Sequence, residues 1–137
     1  MRFLISFCAL AGIVVSSLAL HVHYSNDVQP CDINAHWDCG TVNHSRYAEI
    51  LHIPVAAIGI VGYLVIGALA LMRRRALTLI AVLLGLAFSL YLTNIEAHKL
   101  EVWCLYCVIS QGIIALITLL SLLWLFTGRK AATARAA

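Results

Sequence analysis

The sequence predicts an all-α integral membrane protein, a single domain over residues 1–137 built as a four-transmembrane-helix bundle beneath an extracytoplasmic loop that contains a short interfacial helix. Three observations predict it. The 137-residue chain is 63% hydrophobic and 11% charged, whereas soluble domains are about 45–50% apolar and about 25% charged. Its uncharged runs come in lengths of about 20 residues, the length a helix needs to cross roughly 30 Å of hydrocarbon. Both prolines, Pro30 and Pro54, fall outside the interiors of these runs, so no helix in lipid has to give up a backbone hydrogen bond.

The elements follow in order. The first span, residues 3–21, is the uncharged run from Phe3 to Leu20. Arg2, the apolar stretch and Ser17-Leu18-Ala19 also have the makeup of a cleavable leader. The run is long for a leader, however, and losing it would leave a weakly closed bundle of three, so it is read as a retained span. Residues 22–52 form the extracytoplasmic cap loop, rich in Asp, Asn and His. Asp32, Asn34 and Asp38 are turn formers there. From Ser45 to Leu51 the spacing of Tyr47, Ile50 and Leu51 predicts a short helix lying on the membrane. Pro54 opens the second span, residues 53–72, at a position the first helical turn tolerates, and Arg73, Arg74 and Arg75 end it. The third span covers residues 76–95. A brief second external loop, Glu96 to Trp103, leads to Cys104-Leu105-Tyr106-Cys107 at the head of the fourth span, residues 104–126. The tail, residues 128–137, is expected to be disordered.

Basic residues set the orientation, because Lys and Arg in short loops are retained on the cytoplasmic side. One face of the bundle carries Arg2, Arg73, Arg74, Arg75, Arg129, Lys130 and Arg135, and the other only Arg46 and Lys99. Both termini are therefore expected in the cytoplasm. All 6 acidic residues, Asp27, Asp32, Asp38, Glu49, Glu96 and Glu101, fall on the opposite side with all 6 histidines. The net charge of +3 is thus a marker of topology. No basic patch with interleaved aromatics suggests a nucleic-acid partner, and membrane lipid is the partner the composition requires.

Of the 5 cysteines, Cys31, Cys39, Cys104 and Cys107 share the extracytoplasmic side, where disulfides persist. Cys104 and Cys107 form a CxxC at a helix head, where unpaired amides and the positive helix end favour a thiolate on the first cysteine. Two pairs at one surface allow a relay by thiolate attack through a mixed disulfide. Electrons leaving the second pair need a sink, and a membrane offers quinone, a two-electron acceptor matched to one dithiol. The relay would run from a partner dithiol to Cys31 and Cys39, then to Cys104 and Cys107, then to quinone.

Other readings of the same residues are a structural tetraspan whose disulfides staple its loops, and a zinc site using His36 or His44. A staple closing as small a loop as CxxC constrains little of the unfolded chain, and Cys31 and Cys39 lack the short spacing of common zinc sites; no metal is expected. Cys8 lies too deep in the first span to join a relay and reads as a small buried apolar residue.

Cys31-Asp32, Cys39, Ser45, Ile53-Pro54, Gly59-x-x-Gly62-Tyr63 and Cys104-x-x-Cys107 together resemble the vitamin K epoxide reductase family over nearly the whole chain. The resemblance implies a four-helix bundle around a quinone, capped by the loop. It also implies that Cys31 forms the mixed disulfide with a thioredoxin-like partner, that Cys39 exchanges with Cys104, and that Cys107 faces the quinone, of ubiquinone, menaquinone or phylloquinone type. Ser45, Asn43, Gln111 and Tyr91 are the candidate quinone contacts, with Asn94 and Tyr63 as further pocket candidates. Many bacterial members carry a fused thioredoxin-like domain, and here only a short tail follows the fourth span, so the electron donor is expected to be a separate protein. Animal members have a tyrosine where this chain has Gln111, which leaves quinone reduction as the expected reaction. A bacterial or archaeal inner membrane is the expected setting.

Overall fold

A computed structural model describes residues 2–24, 37–46, 49–100 and 103–136. Helix α1 (Arg2–Tyr24) turns a stripe of small residues inward: Cys8, Ala9, Gly12, Ser16 and Ala19 are buried along one face. Small side chains let helix backbones approach closely where lipid supplies no hydrophobic driving force. Its other face exposes Phe3, Phe7, Leu10, Val14 and Leu18, as expected of a helix that is apolar all round and meets hydrocarbon.

Helix α2 (Cys39–His44) is followed by a two-stranded antiparallel hairpin, β1 (Glu49–Ile50) and β2 (Ile53–Pro54). Helix α3 (Val55–Leu71) then leads to α4 (Arg75–Ile95), a π-helical turn (Glu96–Leu100) and α5 (Leu105–Ala136). The four long helices close a ring in which α1 packs on α3 and α5, and α4 packs on α5 and α3. The core contains Ile5, Cys8, Ala9, Tyr63, Ile66, Val82, Ile114, Ile117 and Trp124. Among the described residues, three helices are long and apolar enough to cross a membrane: Arg2–Tyr24, Arg75–Lys99 and Leu105–Lys130. Val55–Leu71 is apolar but shorter.

Four sequence expectations are corrected. The described loop helix stands at Cys39–His44; of the segment expected as helix from Ser45 to Leu51, Glu49 and Ile50 form a strand and Leu51 a turn, and Tyr47 lies outside the described residues. Asp38 fixes α2 in place by capping: its Oδ1 accepts the Thr41 N–H at 3.0 Å and its Oδ2 the Thr41 hydroxyl at 2.9 Å. Farther on, Ile50 pairs with Ile53, and Leu51 (φ 52°) with His52 (φ 66°) makes a tight turn with both central residues left-handed, the geometry that matches strand twist. Secondly, Ile53 and Pro54 belong to this hairpin, so α3 begins two residues later than the expected second span. Thirdly, the segment expected as a loop from Glu96 to Trp103 opens with a π-helical turn that prolongs α4. Lastly, α5 runs on to Ala136 where disorder was expected; the tail's alanines are the strongest helix formers.

The α3–α4 connection reverses the chain in three residues. Arg73 is left-handed (φ 60°), its N–H reaches Ala70 O at 3.1 Å, and the Arg74 N–H reaches Leu69 O at 3.0 Å. This double closure satisfies the last carbonyls of α3.

Candidate active site

At the head of α5, Cys104 precedes the first helical residue and is fully buried, packed with Val22 from α1. The hydrogen bond donated by the Cys107 thiol holds the Cys104 thiol below the ordinary cysteine range, against burial, which pushes it up. The backbone N–H groups of Cys107 and Tyr106 add to the lowering, and the charge of Glu96 opposes it. A thiolate at a helix head is thereby supported by the same orphan amides that a capping oxygen would satisfy.

The loop reaches this point through its backbone. Trp37 bridges Trp103, and the Asp38 N–H donates to Trp103 O at 3.0 Å. Asp38 and Trp103 are the residues immediately before Cys39 and Cys104, so this bond registers the start of α2 against the start of α5. Cys31 lies outside the described residues, as do the side chains of Cys39 and Asn43.

Below the CxxC, a cavity of about 420 Å³ opens between the helices, within the range of roughly 300–1,000 Å³ typical of small-molecule sites. Its walls are mostly apolar, including Val15, Ile58, Phe88 and Leu92, with a few polar groups, among them Ser45, Tyr63, Glu96 and Cys107. Cys107 is on the wall and Cys104 is not. One helical register thus separates a buried thiol next to the loop from a half-buried thiol that meets the cavity.

The candidate contacts divide. Ser45 and Tyr63 line the cavity. Tyr63 is fixed from α5, its hydroxyl 3.0 Å from the carbonyl oxygen of Ser110 and 2.7 Å from that residue's hydroxyl. Gln111 is off the wall, and its Oε1 accepts the Ser89 hydroxyl and, at 3.3 Å, the Thr93 hydroxyl; both donors are cavity residues. Tyr91 and Asn94 are exposed and not on the wall: each residue of α4 advances about 100° around the helix axis, so Tyr91, two residues from Ser89 and from Thr93, and Asn94, one residue past Thr93, point away from the face those two share.

Glu96 is a site residue the sequence reading counted only among the extracytoplasmic acids. It is 4% exposed, lines the cavity and accepts the Cys104 N–H at 3.1 Å. It shares the cavity wall with Cys107. The available signal was its position at the end of an apolar span, where an ionisable residue is costly; what hid it was the π-helical turn, which carries α4 past the expected span end. Above the cavity, His23 Nε2 and Glu49 Oε1, 3.0 Å apart, join the end of α1 to the hairpin. The family model of the vitamin K epoxide reductase family matches residues 3–122.

Proposed function

The chain belongs to the vitamin K epoxide reductase family, and from that premise we propose that it is a thiol:quinone oxidoreductase supporting disulfide formation outside the cytoplasm. Membership makes it a membrane oxidoreductase. The finer reading rests above all on the placement of Cys107 in the wall of an apolar cavity while Cys104 stands outside it beneath the loop.

In this proposal Cys31 forms the mixed disulfide with a separate thioredoxin-like protein, Cys39 completes the loop disulfide and exchanges with Cys104, and Cys107 delivers the electrons to a quinone in the cavity. The backbone bond from Asp38 to Trp103 supports the exchange, since it ties the residue before Cys39 to the residue before Cys104. A lowered thiol pKa at Cys104 suits a residue that must attack a disulfide, because the thiolate is the nucleophile. Ser45 and Tyr63 offer polar contacts to a quinone head group, and Gln111 orients the Ser89 and Thr93 hydroxyls from behind the wall. The electron balance closes: one dithiol gives two electrons, and one quinone takes two electrons and two protons. The four long helices and the charge asymmetry support four spans, with α3 as the short one, and both termini in the cytoplasm; a bacterial or archaeal inner membrane is the proposed setting.

Purified protein supplied with a reduced thioredoxin-like dithiol and a quinone tests this. Turnover is expected in wild type and in Cys8→Ala, and is expected to vanish in Cys31→Ala, Cys39→Ala, Cys104→Ala and Cys107→Ala. Cysteines that stay oxidised and no turnover with any quinone would instead make the pairs staples of a structural tetraspan.

A further inference from the structure

Glu96 has more chemistry than its contacts require. Its hydrogen bond from the Cys104 N–H would be accepted equally by a glutamine amide oxygen, without the cost of placing an ionisable group against apolar walls. What a carboxylate adds is the capacity to take a proton and return it. The geometry gives that capacity its neighbours: Glu96 and Cys107 line the same cavity, and Glu96 Oε2 accepts the N–H of Cys104 at 3.1 Å, at the head of the helix that carries Cys107.

We infer that Glu96 is a catalytic residue, the base and then the acid of quinone reduction. The inference rests on the quinone chemistry proposed above. The step starts from Cys104 as the thiolate and Cys107 as the thiol. Glu96 takes the Cys107 proton as Sγ of Cys107 bonds to a quinone ring carbon, and the displaced electron pair moves onto a quinone oxygen. Protonated Glu96 returns the proton to that oxygen. Cys104 then attacks Sγ of Cys107; the carbon–sulfur bond breaks, its electron pair enters the ring, and a second proton from the aqueous side completes the hydroquinone. One disulfide forms, two electrons leave the dithiol, and Glu96 ends as it began.

The test separates this step from the exchange step in Glu96→Gln, which keeps an acceptor for the Cys104 N–H. Reduced protein is mixed with quinone in a single turnover, and oxidised protein is mixed separately with a dithiol partner. Removal of a general acid–base group is expected to slow the quinone step by about 10²-fold or more, while the exchange step is not slowed, because loss of the Glu96 charge removes what opposes the Cys104 thiolate. Glu96→Asp, which retains a carboxylate at greater distance, is expected to recover at least about tenfold of that loss. An unchanged quinone step in Glu96→Gln overturns the proposal, and so does equal loss of both steps, which would make Glu96 a support for the CxxC alone. Should Glu96→Gln fail to fold, Glu96→Asp decides: the quinone step slowed with exchange intact sustains the role, and both steps slowed equally overturns it. A wild type that exchanges thiols but reduces no quinone would defeat the underlying function, and the role of Glu96 with it.

Discussion

Cys104 and Cys107 are three residues apart yet hold different surroundings, and the difference comes from helix geometry. Cys104 sits where the first turn of α5 leaves its amides unpaired, and Cys107 donates a hydrogen bond back to it. Removing that donor in Cys107→Ala is therefore expected to raise the pH at which the Cys104 thiolate forms, read from thiolate ultraviolet absorbance. The sign follows from linkage: a thiol whose folded pKa is depressed stabilises the fold above its unfolded pKa, and the contribution fades as pH falls through the folded value. Wild type should accordingly lose more stability than Cys107→Ala on acidification through that window. An unmoved titration would mean that the helix head alone sets the thiolate. The cysteine positions and the activation of Cys104 were legible in the sequence, because CxxC at the start of an apolar run specifies them locally. The part played by Glu96 was not, since it depends on α4 and α5 meeting across the bundle.

Among the elements, α1 and α3 make the most extensive contact, and one glycine permits it. A Cβ on Gly12 would lie 2.4–2.6 Å from Tyr63 ring atoms, and the ring cannot retreat without releasing the Tyr63 hydroxyl from Ser110. Gly12→Ala is expected to cost about 1–3 kcal/mol, as overpacking of a filled interface does, measured as a lowered thermal midpoint in detergent. Retained stability would show that Tyr63 has another place to go. The long helices could be read from apolar runs bounded by charge. The cap could not, because its structure is decided by contacts of short range in space and long range in sequence. Asp38 caps α2 while its N–H is taken by Trp103, and β-branched Ile50 and Ile53 pair across a turn whose left-handed residues, Leu51 and His52, are not the Asn-Gly type that would have announced it. The periodicity of Tyr47, Ile50 and Leu51 pointed to a helix that the hairpin replaces.

At the scale of the whole molecule, the ring of four helices forms a cavity below the CxxC and presents large apolar side chains outward on every long helix. Whether α3, at 17 residues, crosses the bilayer decides the topology: four crossings put both termini on one side, and three put them on opposite sides. Reporter fusions at the two termini are expected to report cytoplasmic location for both, as the arginine distribution requires. A periplasmic signal from either end would remove α3 or α1 from the spans.

The most direct test of thiol-to-quinone electron transfer is to add one equivalent of quinone to fully reduced protein, without any partner, and map the cysteines by mass spectrometry. One disulfide formed per hydroquinone released is the expected result, at Cys104–Cys107 or passed on by exchange to Cys31–Cys39, with Cys8 still a thiol. Quinone left unreduced while all the cysteines remain thiols would contradict it.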